Sequence, residues 1–140
     1  MPKEPEKEIH LTIPMLQNME LAATKTAEAV AEVMHLDEEK TTEVSMAIIE
    51  ACLNSFEHSR SRDRKVYITF RVKEDRLLII LKDYGGGFDP SKLEEPKMEN
   101  KLKPGVRKRG WGLKLMESMM DSVEIESGPQ GTTITMTKKK

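Results

Sequence analysis

The sequence predicts an α+β fold, a two-layer sandwich in which about three helices cover one face of a mixed, mostly antiparallel sheet. Three observations support this. Two long stretches of the first half carry apolar residues at helical spacing, and strand-like segments follow them. All eight glycines fall between Gly85 and Gly131. Because glycine serves sharp turns and close approaches, the first 84 residues are expected to be regular scaffold and the glycine turns to lie in the second half.

The first half is expected to contain one strand and two helices. Residues Glu8–Ile13 alternate polar and apolar side chains, as a half-buried strand does, and Pro14 fits an early helical position. A first helix is predicted over Met15–His35. Asp37 can cap a second helix that runs to about His58, with Thr41 or Thr42 as alternative starts. The buried stripe of the first helix is expected to consist of Leu16, Met19, Ala23, Ala27, Val30 and Met34.

The second half is expected to alternate strands with turns. Residues Val66–Val72 are rich in β-branched and aromatic side chains, and Leu77–Leu81 is a continuous apolar run typical of a strand covered on both faces. These two strands should form a hairpin. A long irregular segment follows over about 85–110, and a short helix is predicted from Trp111 or Gly112 to Asp121. The last two strands are expected near Val123–Glu126 and Thr132–Thr137, joined by a glycine turn.

Length and composition indicate one domain over 1–140, with a core from about 8 to 137. The net charge of −1 does not favour nucleic acid or an anionic membrane as a partner, and no apolar run approaches the roughly 20 residues that span a bilayer. The N-terminus lacks the apolar stretch of a secretion signal. The single cysteine, Cys52, agrees with a reducing compartment. A cytoplasmic location is therefore expected.

The second helix carries polar residues at four-residue spacing inside an otherwise apolar segment. Glu50, Asn54 and His58 fall on one narrow line of the helix, beside the small residues Ala47 and Ala51. This pattern predicts a polar ridge with space next to it, suited to a ligand that lies against the helix. A solvent-facing polar row explains the spacing equally well when the motif is taken alone.

Two glycine-rich motifs follow in the second half. Asp83-Tyr84-Gly85-Gly86-Gly87 comes directly after a predicted strand, and its aspartate can accept a hydrogen bond from an amino group in a pocket. Arg107–Leu113 opens a helix, where free N–H groups and adjoining cations favour phosphate. Taken alone, the first motif is better explained as a hairpin turn with an incidental aspartate, and the second as a solvated basic loop. The second motif matches neither the phosphate loop of the Walker type nor a dinucleotide fingerprint.

Taken together and in this order, the motifs resemble the N, G1, G2 and G3 boxes of the GHKL superfamily, whose fold is called the Bergerat or histidine-kinase-like ATPase fold. This superfamily includes DNA gyrase, a heat-shock chaperone, sensor histidine kinases and a mismatch-repair ATPase. The resemblance covers residues 45 to 135. It rests on Glu50-x-x-x-Asn54-x-x-x-His58, Asp83-x-Gly85-x-Gly87, Gly110-x-Gly112-Leu113 and Gly131-Thr132.

The resemblance implies an ATP site with Mg²⁺. Glu50 would be the general base, Asn54 would bind Mg²⁺ through its amide oxygen, and Asp83 would accept from the adenine amino group. Thr132 or Thr133 would complete the adenine site, and the segment of about 88–110 would act as a lid. Room for the nucleotide and contacts to its phosphates would come from Gly85, Gly87, Lys108, Arg109, Gly110, Gly112 and Leu113. Any of Arg107, Lys108 and Arg109 could meet the γ-phosphate.

Within the superfamily, the length of the chain favours a resemblance to the bacterial anti-sigma-factor serine kinases. Members of that group bind a sigma factor, phosphorylate a serine on an anti-sigma-antagonist protein, and often form homodimers. Two alternatives stay open. One is an ATP-gated module that binds its partner without phosphotransfer, and the other is a stand-alone histidine-kinase catalytic domain.

Overall fold

The fold is built on one sheet whose strands pair in the order β1-β2-β3-β5-β4. In the computed structural model, the described residues are 7–86 and 109–140, with 109–111 described by their backbone alone. All four pairings among these residues are antiparallel, so the α+β sandwich is confirmed with a sheet that is antiparallel rather than mixed. The elements are β1 (Lys7–Pro14), α1 (Glu20–Met34), α2 (Glu38–His58), β2 (Lys65–Val72), β3 (Arg76–Asp83), α3 (Arg109–Met119), β4 (Ser122–Gly128) and β5 (Gly131–Lys139).

The core lies between the helices and one face of this sheet. Alternate residues of β3 show the division: Leu77, Ile79 and Leu81 are buried against the helices, whereas Leu78 and Ile80 on the other face are half-buried. The prediction that this strand is covered on both faces was therefore wrong, because within the described residues the helices pack on one face only. The fully buried side chains of largest volume are Phe70, Ile13, Ile48, Ile68, Leu77, Ile79, Leu81, Met116, Met136, Val44, Val66 and Cys52.

The junction between β1 and α1 differs from the predicted one. Pro14 ends the strand, where it pairs with Lys65 of β2, instead of opening a helix. An edge strand tolerates proline because one of its sides has no neighbour that needs an N–H donor. The backbone N–H of Met15 then donates to the carbonyl of Arg64 over 2.8 Å, which carries the extended pairing one step further. Helix α1 therefore begins only at Glu20, and Leu16 is 62% exposed rather than part of the buried stripe.

Helix α2 begins where the sequence predicted. The carboxylate of Asp37 accepts a hydrogen bond from the backbone N–H of Lys40 over 2.8 Å, which satisfies one of the N–H groups that the first turn leaves open. The helix then runs to His58 and buries one side against α1 and the other against α3.

Within the described ranges, no helix is long and apolar enough to cross a bilayer.

Helix α3 begins at Arg109, two residues before the earliest predicted start. It packs along α2, and Met116 of α3 is fully buried in the core. Its C-terminal end is joined to the sheet, because the backbone N–H of Asp121 donates to the carbonyl of Thr137 in β5 over 2.9 Å. The packing thus places α3 beside α2, the helix that carries the predicted site residues Glu50 and Asn54.

Candidate functional site

The site is organised around the buried carboxylate of Asp83 at the end of β3. This residue is 5% exposed. Its Oδ2 accepts from the hydroxyl of Ser55 over 3.1 Å, and its Oδ1 accepts from the hydroxyl of Ser59 over 3.1 Å and from the backbone N–H of Gly85 over 3.0 Å. A carboxylate offers about four acceptor positions, so these three donors hold it in one orientation while leaving acceptor capacity for a ligand.

Residue Thr132 completes the sheet side of the site. It lies opposite Asp83 in the pairing of β3 with β5, and it is buried on the same face. Its hydroxyl oxygen is 2.7 Å from that of Ser127 in β4. The next residue, Thr133, pairs with Lys82 and faces the other side of the sheet, where both line a shallow surface depression. The structure thus brings Thr132, rather than Thr133, to Asp83.

The helix side of the site is formed by the polar line of α2. Asn54 is 8% exposed, and it directly precedes Ser55, whose hydroxyl binds Asp83. Glu50 lies one turn earlier on the same line and is half-buried. His58, one turn later, has its Nε2 3.6 Å from a carboxylate oxygen of Glu57. The Asn54 amide and the Glu50 carboxylate therefore lie along one line of α2, a set of oxygens suited to an amino group and a hard cation.

Burial raises the pKa of the Glu57 carboxyl above its ordinary value. This carboxylate lies beside His58 in the last turn of α2. The ring of His58 is itself partly exposed there.

Two glycines of the motifs lie where a side chain would collide with the site. A Cβ on Gly85 would come within 2.5 Å of the Ser59 hydroxyl oxygen and 3.2 Å of Asp83 Oδ1. At Gly131 the backbone has a φ of +129°, and a Cβ would strike the carbonyl oxygen of Asp83. Glycine at these positions lets α2 and β5 approach the end of β3 closely.

The motif Arg107–Leu113, which is predicted to bind phosphate, lies partly outside the described residues. Gly87, Lys108 and residues 88–108 of the predicted lid fall outside them, whereas Arg109 and Gly110 form the first turn of α3. Gly112 is buried in the same helix, and Leu113 packs against the core. The first four N–H groups of a helix have no intrahelical acceptor, and they lie at the positive end of its dipole. This end of α3 is therefore suited to an anion.

Two residues of the site were not predicted from the sequence. Ser55 and Ser59 hold the Asp83 carboxylate, yet they lie about 100° around the helix from the Asn54 line. Their signal was a pair of small polar residues four apart near the end of a largely apolar helix. This pattern can be interpreted only once the end of β3 is known to lie beside the two serines.

The comparisons with known proteins agree with this geometry. Residues 15–138 match the family model of the histidine kinase-like ATPase domain. Serine-protein kinase RsbW of Bacillus pumilus is 35% identical over 120 residues, which are 81% of this chain and 74% of that protein. Anti-sigma F factor of Bacillus velezensis is 30% identical over 137 residues, 95% of this chain and 92% of that protein.

Solved structures show the same fold at lower identity. The RsbU and RsbW domains of a Mycobacterium tuberculosis protein superpose with a TM-score of 0.70 at 18% identity, and this chain spans 32% of that longer chain. The mycobacterial sensor histidine kinase MprB superposes with a TM-score of 0.55 at 14% identity. With the family match over most of its length, this chain belongs to the histidine kinase-like ATPase domain family, alongside serine-protein kinase RsbW and anti-sigma F factor.

Proposed function

We propose that this protein is a Mg-ATP-dependent serine kinase of the anti-sigma-factor type, which binds a sigma factor and phosphorylates a serine of an anti-sigma-antagonist protein. The observation that carries the proposal is the buried Asp83 carboxylate, which three donors hold between α2 and β3. Thr132 lies opposite it on β5, and the buried Asn54 directly precedes one of the donors, Ser55. The names of the relatives support the same activity.

The base specificity follows from the chemistry of Asp83. An ionised carboxylate only accepts hydrogen bonds, so it can pair with the amino group at the six-position of adenine. Guanine presents a carbonyl oxygen there, and two acceptors facing each other repel. Thr132 lies opposite Asp83 on β5 and would complete the recognition of the base. Gly85 and Gly87 would border the base and ribose.

Asn54 fits the magnesium ion that the nucleotide brings. Its amide oxygen is a hard ligand, and Mg²⁺ usually takes one or two protein oxygens and fills its shell with phosphate oxygens and water. When bound, the ion neutralises charge on the phosphates. The first turn of α3, with Arg109, Gly110 and Gly112, would receive the phosphates together with Lys108.

Glu50 is the proposed general base. It lies one turn from Asn54, so it is placed to take the proton of a serine hydroxyl whose oxygen attacks the γ-phosphorus. The bond from that phosphorus to the bridging β–γ oxygen breaks, ADP leaves, and phosphoserine forms. A base of this kind contributes roughly 10²–10⁴-fold to the rate. Positioning and charge neutralisation supply most of the remainder.

Nucleotide binding is tested by calorimetry with Mg-ATP and Mg-GTP. Wild type is expected to bind Mg-ATP and to discriminate against Mg-GTP, while Asp83→Asn should lose roughly 10- to 100-fold in ATP affinity, as expected for a charge-assisted hydrogen bond. The fluorescence of Trp111, the only tryptophan, offers a second readout in the first turn of α3. Equal affinity for the two nucleotides would contradict the assignment of Asp83.

Phosphotransfer is tested with [γ-³²P]ATP after a partner has been captured from the source cells in ATP and in ADP. We expect acid-stable label on a partner serine, lost with Glu50→Ala and kept with Glu39→Ala, which removes an exposed carboxylate of the same helix. Acid-labile label would indicate a histidine kinase. No label together with ATP-dependent capture would indicate a binding module without transfer.

The cellular setting belongs to the same proposal. A cytoplasmic location agrees with the single cysteine of the chain.

A homodimer is proposed because β1 is an edge strand whose first four residues are exposed, and exposed edges pair readily with other strands. Light scattering of the purified protein would decide the oligomeric state, and a monomer at working concentration would contradict the dimer.

A further inference from the structure

Lys138 is a buried lysine that joins three elements of the fold. It lies on β5, and its residue is only 6% exposed. Its ammonium nitrogen donates to the Glu43 carboxylate of α2 over 3.2 Å and to the backbone carbonyl of Met119, the last residue of α3, over 2.5 Å. Lysine is almost never buried without such partners, because desolvating the charge is costly. The bridge therefore ties the start of α2 to the end of α3.

From this bridge, α2 and α3 run in opposite directions. The bridge brings the end of α3 to the first turns of α2, and the two helices pack along each other. A parallel arrangement would carry α3 past the start of α2 and leave little contact between them. The first turn of α3 must consequently lie towards the Asn54 half of α2.

The spacings on the two helices match. Glu43 lies on the same side of α2 as Glu50 and Asn54, two and three turns earlier, about 16 Å from Asn54 along the helix axis. Helix α3 is 11 residues long, also about 16 Å, so its first turn lies level with Asn54 when its last residue lies level with Glu43. With the bridge formed at one end, the first turn of α3 therefore faces the Asn54 turn of α2 at the other end.

The other hydrogen bonds at this end do not connect α3 to α2. The backbone N–H of Asp121 donates to Thr137, and the backbone N–H of Lys139 donates to the Asp121 carboxylate over 2.6 Å. Both contacts join the segment after α3 to β5, and neither includes α2. The Lys138 ammonium adds the connection to α2 through Glu43 and also stabilises the negative end of the α3 dipole.

We propose that Lys138 is a positioning residue that sets the register of α3 against α2, and with it the distance from Glu50 and Asn54 to the phosphate-binding turn of α3. It does not touch the nucleotide. The inference rests on the proposed function, since it assumes that phosphates bind at the start of α3. The base site lies instead on β3 and β5, at Asp83 and Thr132, so it should depend little on this register.

The test compares Lys138→Met with two matched variants. Methionine keeps the apolar stem and removes the ammonium, Lys138→Arg keeps a donor for both acceptors, and Lys139→Met removes the charge of the exposed neighbour. Calorimetry or competition measures the affinity for Mg-AMPPNP, which reports base and phosphates together, and for adenosine, which reports the base alone. We expect Lys138→Met to lose at least tenfold for Mg-AMPPNP and less than twofold for adenosine.

The controls separate positioning from stability. Lys138→Arg should recover most of the Mg-AMPPNP affinity, and Lys139→Met should behave as wild type. If Lys138→Met melts at a lower temperature but binds Mg-AMPPNP as wild type does, or loses both ligands equally, the positioning role is refuted. Wild type that fails to bind Mg-AMPPNP would instead refute the proposed function.

A second variant decides the question if Lys138→Met does not fold. Glu43→Ala removes only the connection to α2 and leaves the contact from Lys138 to Met119, and alanine suits a helix. It should lose at least threefold in Mg-AMPPNP affinity with adenosine binding unchanged, while Glu39→Ala, on the exposed side of the same helix, changes neither. Unchanged Mg-AMPPNP affinity in folded Glu43→Ala would overturn the inference.

Discussion

Replacing Gly85 with alanine tests whether α2 holds the Asp83 carboxylate as the structure shows. The new Cβ would lie 2.5 Å from the Ser59 hydroxyl oxygen and 3.0 Å from the backbone nitrogen of Arg60. The hydroxyl can rotate away, but it then loses its hydrogen bond to Asp83. The backbone of Gly85 has no positive φ, so the collision is the main source of strain.

The magnitude follows from those contacts. Loss of a hydrogen bond to a charged group costs about 1.5 kcal/mol at the low end of the usual range, which suits a part-buried bond. Residual crowding against Arg60 adds roughly 1 kcal/mol, and the smaller freedom of alanine in the unfolded chain returns about 0.7 kcal/mol. Gly85→Ala should therefore lower the free energy of unfolding by about 2 kcal/mol, and Ser59→Ala by about 1.5 kcal/mol.

The two changes should not add, because both remove the same hydrogen bond. The double variant is expected to lose about 2 kcal/mol rather than about 3.5, a coupling of about 1.5 kcal/mol measured by urea unfolding of all four proteins. Gly86→Ala is the matched control, since a Cβ there has nothing within 4 Å, and it should be neutral or slightly stabilising. Additive losses would show that Ser59 does not contact Gly85 and Asp83 as described.

The remaining predictions concern other parts of the scaffold. Gly131→Ala should destabilise the protein by more than 2 kcal/mol, because the φ of Gly131 is +129° and the new Cβ would meet the sheet backbone. Gly128→Ala should change the stability little. Equal effects of the two changes in urea unfolding would contradict this. Burial raises the pKa of the Cys52 thiol to about 12 from an ordinary value of about 9, so the folded state keeps the proton that the unfolded chain releases. Its contribution to stability is thus fully present below about pH 9 and is lost as the pH rises towards 12, and in native protein near pH 8 a disulfide reagent should modify Cys52 only at the rate of unfolding. Asp37→Ala should cost about 1 kcal/mol through loss of the cap on the Lys40 N–H, and an unchanged melting temperature would show that the cap contributes nothing.

Local sequence patterns were sufficient for most elements. The cap at Asp37, the long apolar helix after it, the β2–β3 hairpin and the final hairpin were predicted close to their observed bounds. The wrong predictions came where one sequence pattern is compatible with two structures. Pro14 suits the start of a helix or the end of an edge strand, and the pairing with Lys65 decided for the strand. The apolar run of β3 suits a strand covered on two faces, yet its outer residues face away from the helices.

The sequence by itself determined which residue types stand at which spacing: Glu50 and Asn54 on one line of a helix, and Asp83 and Gly85 directly after a strand. Spacing along the chain specifies which residues share a face, because helices and strands have fixed periods. It does not specify which face meets which. The tertiary structure decided that Thr132 rather than Thr133 joins Asp83, that Ser55 and Ser59 hold this carboxylate, and that Lys138 bridges α2 and α3. These contacts join residues far apart in the chain, and they arise only when the sheet register and the helix packing are formed together.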